Sequence, residues 1–184
     1  MAIDKRILKT RERIQNAFMI LTLEKETSKI TVSDLSDKAS INRSTFYLHY
    51  KDPAEVGKEI DGRISVAISS LMGTFSLEDI YGTSYSIFAK LTEQMEANDL
   101  IRNYIIYSKN SVAVIENIKK ILAENITRAV QENGKQPTDY LVPFISSGII
   151  DCYFSWCRSD VKIPLGQLIG QFASITARLI ENLV

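Results

Sequence analysis

One histidine, two cysteines, four prolines and a formal net charge of zero in 184 residues remove several function classes at once. His49 alone cannot build a histidine-rich metal site, and Cys152 and Cys157 lack Cys-x-x-Cys spacing, so no metal is expected. Five residues apart on a helix, the cysteines point about 140° away from each other, which disfavours a mutual bridge and fits a reduced, cytoplasmic protein. A catalytic triad around His49 would need its nucleophile elsewhere in space. Ser44 and Thr45, on their own exposed helix, offer no oxyanion pocket, so neither an enzyme nor a cofactor is expected. Only eight glycines are spread along the chain and sheet signals are nearly absent, whereas apolar residues recur at helical spacing almost throughout; the fold class is all-α. No stretch resembles a secretory signal. The most apolar segment, LVPFISSGIIDCYFSWC at 141–157, is interrupted by Pro143 and Asp151, falls short of a bilayer span and reads as a buried helix.

What is present is unevenly placed. Residues 1–51 hold ten Lys/Arg against six Asp/Glu, a net +4 that the remaining residues cancel. Such an imbalance is compatible with a polyanionic partner and, alone, also with a merely solvated face.

The spacing predicts about nine helices. Ile7, Ile14, Ala17, Phe18 and Leu21 stripe a first helix over 4–24, whose other face carries Lys5, Arg6, Lys9, Arg11 and Arg13. A helix N-terminus does not favour these cations, so they serve another purpose or are merely solubilising. Thr31 and Asp34 form a T-x-x-D start for a helix over 32–39 with Val32, Leu35 and Ala39 on one side. Asn42 is the next cap, and its helix turns Phe46 and Tyr50 inward. Asp52, Pro53 and Glu55 then open a long helix ending near Gly73, with the proline where its missing N–H costs nothing. Five more helices follow at about 77–97, 99–108, 111–133, 138–158 and 165–183, punctuated by Ser76, Asn98, Asn110 and Gly134.

Two short helices joined by a three- to four-residue turn, with the first helix crossing behind them, form the arrangement that places the second in the DNA major groove. Arg43, Ser44 and Thr45 at its start suit base edges, while Tyr47, His49 and Lys51 lie where phosphates flank the groove.

At Ile14, Ala17, Leu21, Thr31, Val32, Leu35, Ala39, Ile41, Thr45, Phe46, Tyr47, His49 and Tyr50 the chain resembles the TetR family of bacterial transcriptional regulators. The likeness runs without a gap over about residues 5–56. It departs from the family pattern in three places. Ser40 stands where glycine is usual in the turn, and must either avoid a left-handed conformation or bear about 1–2 kcal/mol. Glu26 also replaces a frequent glycine, and Pro53 replaces a phosphate-contacting lysine, a role left to Lys51.

The resemblance implies a helix-turn-helix DNA-binding domain over 1–51, with Thr31, Arg43, Ser44, Thr45, Tyr47, His49 and Lys51 as its contact set, and a regulatory and dimerisation domain over 52–184. It implies a homodimer on double-stranded DNA, acting as a repressor released from its operator by an effector. The alternative is a regulator of the same fold controlled by a partner protein, as an activator. Tyr85, Phe88, Tyr104 and Tyr107 are the candidate effector contacts, although aromatic stripes at helical spacing are core in most proteins. Helices over about 138–183, with Phe172 and Ile175 among their residues, are apolar nearly all round and want a second copy to cover them. Helix 53–73 is the expected connection between the two domains.

Overall fold

The computed structural model describes residues 5–72, 77–109, 111–137 and 139–181; among these are nine α-helices and no strand, in the all-α order expected. They are α1 (Lys5–Glu24), α2 (Val32–Ala39), α3 (Arg43–Tyr47), α4 (Pro53–Met72), α5 (Ile80–Glu96), α6 (Asp99–Tyr107), α7 (Ser111–Glu132), α8 (Leu141–Arg158) and α9 (Leu165–Glu181), with a 3₁₀ turn at Thr27–Lys29 that the periodicity does not announce. No helix among the described residues is long and apolar enough to cross a membrane, and no group of three or more His, Cys, Asp or Glu is placed to hold a metal ion.

The chain divides into two compact units, 1–64 with 98–114, and 65–97 with 115–184. These are units of packing, and the division by role at residue 51 is taken up below. The chain crosses between the units within α4, between α5 and α6, and within α7, so α4 is not the sole connection expected. The reason is α6: it returns to pack on α1.

In the first unit, α1 buries Ile14, Ala17, Phe18 and Leu21, and the same core takes Leu35 and Ala39 of α2, Phe46 of α3 and Val56 and Ile60 of α4. Helix α4 approaches closely at Gly57, where a Cβ would come within 2.9 Å of the Phe18 ring. Lys109, after α6, donates its backbone N–H to the Thr22 carbonyl at 3.1 Å, satisfying an orphan acceptor in the last turn of α1.

In the second unit α5 packs along α9. The stacked rings of Tyr81 and Tyr85 lie against Gly166 and Gly170, where there is no side chain to hold them off. Tyr153 of α8 is fully buried between Phe88 and Phe154, and its hydroxyl meets Thr92 at 2.8 Å. Trp156 stacks on Tyr153 and donates its indole N–H to the Ile163 carbonyl at 2.8 Å.

Helix ends depart from the pattern where a cap outcompetes periodicity. Helix α5 starts at Ile80 because the Asp79 carboxylate accepts the Gly82 N–H at 2.8 Å, so residues 77–79 form a turn rather than helix. Helix α8 starts at Leu141, following a turn. Asn98 caps α6 through the Ile101 N–H, and Gly134, expected as punctuation after α7, takes a left-handed conformation with φ 73°. Gly73, Ser76, Asn110 and Thr138, named as boundaries above, lie outside the described residues, as does the stretch beyond 181.

Candidate nucleic-acid interface

The first unit is a scaffold for a five-residue helix too short to stand alone. Thr31 starts α2 with a complete capping box: its hydroxyl oxygen accepts the Asp34 N–H, and the Asp34 carboxylate accepts the Thr31 N–H at 2.8 Å. Lys25 adds an ion pair to the same carboxylate at 2.7 Å. The hydrogen bond from Lys25 and those from Thr31 hold the Asp34 pKa down to about 2.

Helix α2 ends in a reversal in which Ser40 adopts φ 51°, ψ 53°. Its N–H donates to the Asp37 carbonyl, and the next N–H, of Ile41, donates to the Ser36 carbonyl at 2.9 Å. This is the six-to-one and five-to-two pattern of a Schellman turn with serine in the glycine position. The left-handed conformation is therefore adopted, not avoided. The Arg13 guanidinium, from α1, donates to the carbonyls of Ala39 and Ser40 and closes the same helix end.

Asn42 occupies the cap position of α3 but its side chain makes no capping bond. Helix α3 stops at Tyr47, so Tyr50 lies outside it; the chain turns with the Tyr50 N–H donating to the Phe46 carbonyl, and Tyr50 is buried all the same. Phe46 is fully buried beside it, the two rings 5.9 Å apart. These two anchors turn the other face of α3 outward. Arg43, Ser44 and Tyr47 are exposed, Thr45 and His49 half-buried, and Thr31 and Lys51 exposed. The Arg43 guanidinium rests on the Ser33 hydroxyl of α2, and that hydroxyl donates to Asp37 at 3.4 Å. Leu48, at the helix end, is 82% exposed; nothing in its spacing singles it out, because an apolar residue beside Phe46 reads as core.

After α3, Asp52 accepts the Glu55 N–H at 2.9 Å, with Pro53 in the first helical position as expected. The Glu55 carboxylate reaches one residue further back than a standard box and takes the N–H of Lys51 at 2.6 Å.

Two cations of α1 serve the scaffold, not a solvated face. Besides Arg13, Arg11 pairs with Glu59 of α4, lies 4.7 Å over the Tyr50 ring and donates to the His49 carbonyl at 3.5 Å. Gln15 is buried and donates to the Tyr50 hydroxyl at 3.0 Å, while its own carbonyl accepts from Arg63 at 2.6 Å. Burial raises the Tyr50 pKa to about 12. Burial opposes ionisation of Glu59 as well, but hydrogen bonds from Tyr50 and Arg11 outweigh it and lower that pKa.

The four aromatic effector candidates fall in different units. Tyr104 is fully buried in the first unit, its hydroxyl donating to Asp61 at 2.7 Å, and Tyr107, 55% exposed, belongs to the same unit. Tyr85, 42% exposed, and buried Phe88 belong to the second. Phe88 lines, with Ser84, Leu122, Phe172 and Thr176, a cavity of about 10 Å³, room for no more than a water molecule.

A family model described as the C-terminal region of transcriptional regulators, of the TetR class, matches residues 82–178. The HTH-type transcriptional regulator YxbF of Bacillus subtilis (strain 168) is 44% identical over 55 residues, 29% of this chain and 14% of that protein's own length. Among solved structures, a TetR transcriptional regulator from Streptococcus agalactiae 2603V superposes with a TM-score of 0.70 at 24% identity, covering 94% of this chain and 96% of that one. The fatty acid degradation regulator FadR from Bacillus halodurans gives 0.61 at 17%, covering 95% and 96%. At these identities the structures show a shared fold.

Proposed function

The chain belongs to the TetR family of transcriptional regulators, and from that premise we propose that it reads a specific operator through α3, as a homodimer, and acts as a repressor. The observation that carries this reading is the division of α3 into a buried side, Phe46, and an exposed side, Arg43, Ser44 and Tyr47, on a scaffold that fixes both ends. In that pose Arg43 meets base edges, Ser44 and Thr45 meet bases or phosphates, and Thr31, Tyr47, His49 and Lys51 meet the flanking backbone. Leu48 joins this set through the methyl of thymine. The DNA-binding role belongs to 1–51, and regulation and dimerisation to 52–184, in a cytoplasmic protein.

Dimerisation through about 138–183 is supported by apolar side chains left open on α8 and α9: Phe144 is 67% exposed and Ile175 58%. Phe172, expected on the same face, instead contacts Phe88 inside the second unit. Release by an effector requires that the crevice beside Phe88 open, since its 10 Å³ admits no metabolite in this conformation. The alternative is control by a partner protein, as in an activator.

Arg43 and Lys51 provide the test. Arg43→Ala costs about 1–3 kcal/mol on the operator and relaxes preference at one base pair, with little effect on random duplex. Lys51→Ala weakens both duplexes alike and flattens the salt dependence by about one unit per site. Affinities measured at several salt concentrations decide it: if Arg43→Ala weakens random DNA as much as operator, α3 does not read bases.

A further inference from the structure

Four polar side chains are buried among the described residues of the first unit, Gln15, Thr22, Ser36 and Ser108, and of these Gln15, 5% exposed in the middle of α1, is the one carboxamide. A methionine or leucine there would fill the same space without the cost of desolvating a carboxamide. The two ends of that carboxamide go to two different elements. Its N–H donates to the hydroxyl of Tyr50, the residue that anchors the end of the recognition helix, and its carbonyl accepts from Arg63 of α4. The Tyr50 hydroxyl also lies near enough to the Glu59 carboxylate, one turn earlier on α4, for each to shift the other's ionisation. Hydrogen bonds are directional where apolar packing is not, so this group fixes the angle at which α3 is held and not merely its burial.

We propose that Gln15 is a positioning residue for DNA reading: its carboxamide is the joint that holds the recognition helix in register with α4. The inference rests on the DNA-reading role proposed above. Base-edge contacts tolerate displacements of only about 0.5 Å, whereas long lysine side chains follow phosphates through larger ones. Loosening the joint therefore removes sequence discrimination before it removes affinity for DNA.

Gln15→Met separates this from a purely structural role. It keeps the length of the side chain, leaves the Tyr50 hydroxyl beside the Glu59 carboxylate, and lets the exposed Arg63 turn to water. The full chain is first used to select a duplex from a randomised pool, and each variant is titrated with that duplex and with a scrambled one of equal length, alongside thermal melts. The expected result is a melting temperature at or above that of the unaltered chain, an unchanged affinity for the scrambled duplex, and a loss of about tenfold on the selected one. A Gln15→Met chain that keeps its ratio of selected to scrambled affinity overturns the inference while leaving the DNA-reading role intact, and one that no longer melts cooperatively makes Gln15 structural and overturns it too. If the unaltered chain enriches no duplex, the DNA-reading role falls and takes the joint with it.

Discussion

Ser40→Gly is expected to stabilise the first unit, and the size of the gain follows from the turn. Ser40 holds φ 51° and ψ 53°, a region where a Cβ crowds the following carbonyl at a cost of about 1–2 kcal/mol. Glycine removes that cost but brings a more disordered unfolded chain, which takes back about 0.4–1 kcal/mol. The serine side chain is exposed, and the bonds that define the turn are all made by backbone, including those from Arg13 to the Ala39 and Ser40 carbonyls. None of them is lost in the variant. The centres of the two ranges leave a net gain of about 0.8 kcal/mol, which for a chain of this size raises the melting temperature by about 2–3 °C. Urea unfolding followed by far-ultraviolet circular dichroism reads the free energy directly, and a calorimetric scan reads the temperature. An unchanged or lower stability would mean that the serine at this turn carries no strain.

Asp34 sets an acid limit. Its pKa is depressed to about 2, so the capping box contributes its stability in full above the ordinary carboxylate range and loses it as pH falls from about 4 towards 2. Asp34→Asn is expected to be less stable than the unaltered chain at neutral pH, with the difference vanishing near pH 2; a constant difference in denaturation experiments across that range would exclude the linkage. Ile175→Glu places a charge on the open face of α9 without disturbing a buried contact, so light scattering should give the 20.8 kDa single chain with its melting profile intact. Operator affinity should fall by about 10²–10⁴, because each half-site then binds alone. A variant that remains dimeric places the interface elsewhere.

The residues that set this fold by periodicity were legible in the sequence. The stripe Ile14, Ala17, Phe18 and Leu21, the Thr31 cap and the Asp52-Pro53 start act over one or two turns and occur where their local rules put them, whereas Ile7, predicted on the same stripe, is 46% exposed. What long-range contacts decide was not legible. The purpose of Arg11 and Arg13, left open between a specific role and mere solubility, is set by Glu59 and the α2 carbonyls 48 and 26 residues away in the chain. Gln15 belongs to no local pattern, its partners being 35 and 48 residues distant. Asn42 misled in the opposite sense, since a good capping residue in the right place makes no cap bond. The aromatic stripe gave no means of telling a pocket from a core. Tyr85, Phe88, Tyr104 and Tyr107 share a spacing, but packing distributes them between two units.

Sequence selection by the full chain from a randomised duplex pool tests the central claim most directly, because it asks whether α3 reads bases and whether two copies read together. A dimer presenting two α3 helices should enrich an inverted repeat, with half-site centres one helical turn or a multiple of it apart and with guanine at the position lost on Arg43→Ala. A pool that emerges without enrichment, bound only through a salt-sensitive affinity shared by every sequence, would contradict it.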